Sequence, residues 1–140
     1  MYKAIDLSKY IVTKCIVDGC AISNLQLQKI LYYVQKDFLQ RDCVAFSDDI
    51  EAWQFGPVVP VVYYKFCGFG AMPITSTFEV GGIDSLDLQA IERVVDAKKF
   101  LNPWDLVADT HRKNGAWDQI YQNGLGNHNI IPLNLIKTEG

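Results

Sequence analysis

The run from Ser23 to Phe38 constrains this chain more than any other segment. Ser23, followed three residues later by Gln26, forms an S-x-x-Q capping box. In such a box the hydroxyl takes an orphan backbone N–H of the first turn and the glutamine reaches back to the cap. Leu27, Ile30, Leu31, Val34 and Phe38 then recur at spacings of three and four, which predicts a helix with one apolar face three turns long. Gln28, Tyr32 and Gln35 fall on the opposite face and read as its polar side. Such a face needs other elements to cover it.

The covering elements are legible on both sides. A first helix from about Asp6 sets Leu7, Ile11 and Cys15 in line with Val12 and Ile16 beside them, and Asp18-Gly19 stops it. Ile50 to Phe55 reads as a short strand after an Asp48-Asp49 turn, and Gly56-Pro57 reads as a chain reversal into a helix opened by Pro60 and ended by Gly68 and Gly70. Pro73 to Val80 carries a β-branched and aromatic mix that favours a strand or extended segment. Ser85 reads as the cap of a further helix to Phe100 with Leu86, Ala90, Val94 and Ala97 in line. Asn102-Pro103 opens a short helix over Trp104 to Arg112, and Ala116 to Gln122 adds another turn or two. Ile130 to Ile136 is an apolar tail broken by Pro132.

A length of 140 residues, 49% hydrophobic and 21% charged, suits one folded domain over 1–140. The predicted class is mainly α (α+β): about five to six helices with one small β-hairpin or short sheet, the C-terminal tail packed on them. No stretch has the roughly 18 apolar residues of a membrane span, and Met1 to Asp6 lacks a signal-peptide core, so a cytoplasmic protein is expected. Cys15, Cys20, Cys43 and Cys67 show no C-x-x-C spacing and read as reduced, mostly buried thiols. The net charge of −3, with scattered Lys and Arg, favours a protein partner over nucleic acid or membrane.

Catalytic chemistry has little to build on. His111 and His128 are the two imidazoles, and H-E-x-x-H, G-x-S-x-G, Walker and G-x-G-x-x-G patterns are absent from the sequence. Asp109 and His111 lie two apart on a predicted helix, so their side chains diverge. Asp48, Asp49 and Glu51 read as a solvated acidic turn. No cofactor or metal is expected, and the chain reads as a binding protein rather than an enzyme. Two rival readings have a residue basis: a helix-turn-helix with Asn24, Gln28 and Lys29 on DNA, and an enzyme site near His111.

Longer motifs point to a family. Asn24-Leu25-Gln26-Leu27-Gln28-Lys29-Ile30-Leu31-Tyr32-Tyr33-Val34-Gln35 resembles the "LQKLLYYAQ" signature of the Panacea domain, also described as SocA-like or phage-associated GepA-like. Glu51 to Tyr63, EAWQFGPVVPVVY, resembles that family's second segment at the expected distance, although Gln54 stands where relatives often carry a basic residue. Trp104-Asp105-Leu106, Thr110-His111 and Trp117 are similar to a weaker third stretch, so the resemblance spans roughly Ile5 to Tyr121. It implies an antitoxin, often phage- or prophage-associated, that binds a cognate toxin directly and in some members delivers it to a protease such as ClpXP.

Within these motifs Leu27, Lys29, Leu31, Trp53, Gly56, Pro57 and Trp117 read as scaffold, with Trp53 supplying a large buried area. Gln28, Tyr32, Tyr33, Gln54, Tyr63, Tyr64 and His111 read as candidate partner contacts.

Overall fold

The computed structural model describes residues 1–139. Helices α1 (Ala4–Val17) and α2 (Asn24–Gln40) are followed by strands β1 (Glu51–Trp53) and β2 (Gly56–Val58). Helices α3 (Pro60–Phe66), α4 (Ser85–Lys98), α5 (Pro103–Thr110), α6 (Ala116–Tyr121) and α7 (Leu133–Thr138) complete the order. The mainly helical α+β class is the one the sequence predicts. The helix beyond the six read from the sequence is α7, which turns the apolar tail inward so that Ile131 and Ile136 are buried.

The capping box forms as expected: Ser23 accepts from the Gln26 backbone and the Gln26 side chain accepts from the Ser23 N–H. What differs is the environment of α2, which sits at the centre and packs on α1, α3, α4, α5, α7 and β2. Its supposed polar side is therefore buried too: Gln28, Tyr32 and Gln35 are as inaccessible as Leu27, Ile30 and Leu31. The physical reason is backbone satisfaction, since the loops around α2 carry polar groups that lack helix or sheet partners.

The Gln28 Oε1 atom accepts from Val59 N at 2.9 Å, and its Nε2 donates to Asn24 Oδ1 at 2.9 Å. Asn24 Nδ2 in turn donates to the Tyr63 carbonyl at 3.1 Å. Gln35 bridges Ala45 N at 2.8 Å and Phe46 O at 2.7 Å. The helix thus clamps the chain on both sides of the hairpin.

Strands β1 and β2 pair antiparallel with Trp53 opposite Gly56, so the chain reverses at Gln54-Phe55 and Gly56-Pro57 belongs to β2. This corrects the reading of Gly56-Pro57 as the turn into α3. The free edge of β1 is covered by residues 128–131: His128 N donates to Ala52 O at 2.7 Å, Ala52 N to Asn129 O at 2.9 Å, and Ile131 N to Ile50 O at 2.8 Å.

Other expectations shift. Pro73 to Val80 pairs as no strand and takes the other form expected of it, an irregular connecting segment tied by Ile74 N to Ile22 O and by Phe78 N and O to the Thr13 hydroxyl. Asp84, not Ser85, caps α4, and its buried line is Ala90, Ile91 and Val95, while Leu86 is exposed. Of the free thiols, Cys15 is buried but Cys43 and Cys67 are exposed, because both lie just past helix ends on the surface. Asp48 has a structural use: its carboxylate accepts the Ala4 N–H at 2.9 Å at the start of α1. Among the described residues no helix is long and apolar enough to cross a membrane.

Candidate partner-binding site

Lys29 projects from α2 in the direction of the hairpin and is completely buried. Its Nζ donates to the Pro57 carbonyl at 3.2 Å, and no ion pair joins it among the described residues. Removal from water without a counter-charge disfavours the ammonium, and burial pushes the Lys29 amine down to about 7. Space for its head is made by Gly56, whose φ of +110° suits glycine. A Cβ there would lie 2.7 Å from Thr110 Oγ1 and 2.9 Å from Lys29 Cε.

Above Lys29 lies a cavity of about 500 Å³ between α2, the hairpin, α3 and the start of α5. Asn24, Gln28 and Lys29 form its polar side, and Trp53, Phe55, Tyr63, Trp104 and His128 its aromatic walls. The rings are organised among themselves. His128 stacks on Trp53 with centroids 4.4 Å apart, Tyr63 meets Trp53 edge-on at 4.9 Å, and Phe55 meets Trp104 edge-on at 5.4 Å. Trp53 is anchored through its indole N–H to Glu51 Oε1 at 2.9 Å. It is only half-buried, which corrects its reading as a core residue: β1 lies at the surface and turns this side chain outward to the cavity.

Outside the wall, Tyr64 packs against Trp53 at 6.2 Å and is 62% exposed; Trp104 is 58% exposed and Phe55 46%. Folding leaves these rings in water, where they form a ready contact surface.

The predicted contact residues divide into groups. Gln28, Gln54 and Tyr63 line the cavity with the scaffold residues Lys29 and Trp53, and Tyr64 borders it. Gln28 is buried and spent on its bonds to Val59 N and the Asn24 side chain, so it shapes the floor rather than meeting a partner. Tyr32 is buried with its hydroxyl bonded to Glu139, and burial together with that bond raises its pKa, making the phenol harder to ionise. Tyr33 lies elsewhere, bonded to Asp109 beneath the Lys98 ammonium, 4.1 Å from the ring centre.

His111 stacks flat on Trp117 at 3.7 Å; burial, then the Lys29 charge, lowers its basicity. Its Nε2 is buried without a partner among the described residues. The scaffold role of Trp117 fits its burial and its N–H bond to Trp53 O at 2.8 Å.

Phe55, Trp104 and His128 were not singled out as contacts from the sequence. The available signal was an aromatic residue at a hairpin tip and another in the first turn after Asn102-Pro103, both positions that the fold exposes. The helix-turn-helix reading fails because Asn24, Gln28 and Lys29, its proposed DNA contacts, all face inward. Asp109 and His111 diverge as their spacing predicts, the carboxylate engaging Tyr33 and Arg112. Among the described residues no group of three or more His, Cys, Asp or Glu side chains is placed to hold a metal.

Comparison with known proteins agrees with the motif pattern. Residues 27–118 match the family model described as Antitoxin SocA-like, Panacea domain. The chain is 35% identical over 118 residues to Antitoxin SocA of Caulobacter vibrioides (strain NA1000 / CB15N), an alignment covering 75% of this chain and 62% of that relative. It therefore spans less than two thirds of that relative's length. No solved structure matches the chain.

Proposed function

Because the chain belongs to the SocA-like, Panacea-domain antitoxin family, we propose that it is an antitoxin that neutralises a co-encoded toxin by direct, stoichiometric binding and not by turnover. The observation that carries this reading beyond the family is the aromatic rim around the cavity. Trp104, Tyr64 and Phe55 stand exposed over a floor held rigidly by α2. Large rings on a preorganised base lose little entropy on binding and recur as interface anchors. A standard interface of about 800 Å² per partner fits on this side of a domain this size.

The test is to express the adjacent open reading frame alone and together with this protein, and to recover the pair by affinity purification. Toxicity of the neighbour alone, relieved on co-expression with a 1:1 complex, supports neutralisation by sequestration. Relief accompanied by loss of the toxin, reversed when the host protease is deleted, supports delivery to that protease. A neighbour that is harmless alone, or still toxic and uncomplexed when co-expressed, removes the antitoxin reading of the pair.

A further inference from the structure

The cavity has a polarity that its aromatic walls do not explain. Among the described residues no Asp or Glu lines it, in a chain whose net charge is −3. Its single basic amine, Lys29, has three donors and, among the described residues, one protein acceptor, the Pro57 carbonyl. The other titratable groups around that amine are His111 at the end of α5 and, across the cavity, Tyr63 from α3, Cys67 just past the end of α3 and His128 from the loop after α6. No carboxylate stands among them. An amine held in an apolar surround without a carboxylate is a site short of an anion.

We propose that the cavity accepts a carboxylate-bearing side chain of the partner protein, an Asp or Glu presented beside an apolar or aromatic residue. Lys29 pairs with the carboxylate, and Trp53, Phe55 and Trp104 enclose the apolar neighbour. This deepens the partner-binding reading above and rests on it. A single cation matches a monoanion, whereas a phosphate dianion or a nucleic-acid backbone calls for several cations or a fan of N–H groups.

The amine reaches its ligand by rotating the end of its flexible stem away from Pro57. The enclosed carboxylate holds the ammonium form, so binding takes up a proton wherever the free protein has shed it. Above neutral pH, affinity therefore falls as pH rises.

The probe pair is 4-phenylbutyrate and its neutral counterpart 4-phenylbutanol, titrated into the intact protein and followed by the indole N–H signals and by labelled lysine side chains in NMR. Trp53 and Trp104 line the cavity, whereas Trp117 does not and is tied to it through its N–H bond to Trp53 O, so a smaller shift is expected there. The expected result is that butyrate shifts Trp53 and Trp104 and binds at least about tenfold more tightly than the alcohol at pH 6.5, an advantage lost by pH 8.5 as the amine deprotonates. Lys29→Met, checked for folding by its Trp117 signal, should bind the two probes alike.

Equal affinities for the two probes in the wild type, or no binding of either, overturn the proposal without reference to any variant. So does undiminished butyrate binding by folded Lys29→Met. The two readings separate in co-expression: Lys29→Met that still neutralises fully overturns this inference and leaves the antitoxin reading standing. Lys29-dependent butyrate binding by a protein that complexes no toxin has the reverse meaning.

Discussion

Replacing Lys29 by Met isolates the energetic consequence of burying this amine. In the unfolded chain Lys29 has the ordinary lysine value of 10.5, and in the folded protein burial brings it to about 7. Between these values the unfolded state holds a proton that the native state has released, so stability rises with pH by up to about 1.4 kcal/mol per unit. Below pH 7 both states bind the proton and the whole penalty, about 4 to 5 kcal/mol from a shift of this size, is present. Methionine matches the length of the lysine stem and does not titrate. The wild type should therefore gain about 2 kcal/mol on Lys29→Met between pH 7 and pH 9.

Loss of the bond to Pro57 O displaces the two curves by a constant of about 1 kcal/mol and leaves their relative slope alone. Cys15, which burial pushes up to about 11, and the tyrosines raised by burial titrate in both proteins and cancel in the difference. The assay is urea denaturation of both proteins at pH 6, 7, 8 and 9, with equal m-values as the check on two-state behaviour. Parallel curves across that range would refute an unpaired, buried Lys29.

The remaining predictions probe the scaffold and the rim separately. Ser23→Ala removes the hydroxyl of the capping box on α2 and should cost about 1 kcal/mol in denaturant midpoint analysis. Gly56→Ala forces a side chain onto a φ of +110° and into contact with Thr110 and Lys29; a loss of about 2 to 4 kcal/mol is expected by thermal or chemical unfolding. Trp104→Ala should leave stability within about 0.5 to 1 kcal/mol but weaken toxin binding on the order of tenfold or more by calorimetry. Trp117→Ala, by contrast, empties a buried site and should cost about 3 to 5 kcal/mol in stability.

The helices were legible because their signals are local: the Ser23–Gln26 box, Pro60 and Asn102-Pro103 each mark a terminus by chemistry that needs no tertiary context. The faces of α2 were not. A period of three and four identifies where Leu27 and Leu31 point, but a helix surrounded by six elements has no solvent side, and polar residues there serve backbone groups far along the chain. The partner of Gln28 is Val59 and that of Gln35 is Ala45–Phe46, pairings that no local spacing encodes. The short apolar tail was legible as buried but not as helical, since Pro132 interrupts the pattern before α7 begins. For the cavity, motif membership pointed to Gln28, Gln54 and Tyr63 as contacts; Trp104 also stands in a motif stretch, but its place beside the hairpin, like that of His128, arises only when the chain folds.

This division of labour bears on how the motifs are to be tested. Asn24, Gln28 and Lys29 fasten α3 and the hairpin through backbone atoms, so the cavity's shape depends on bonds that do not involve its rim. The side chains of Gln54, Phe55 and Trp104 hold no backbone group among the described residues; they project from positions that the floor has already fixed. Substitutions in the floor should therefore change stability and its pH dependence together with binding, whereas substitutions in the rim should change binding alone. Truncating Gln28 to alanine is the least informative experiment on this surface, because it strands Val59 N and Asn24 Oδ1 in the interior and unfolds the site it was meant to probe.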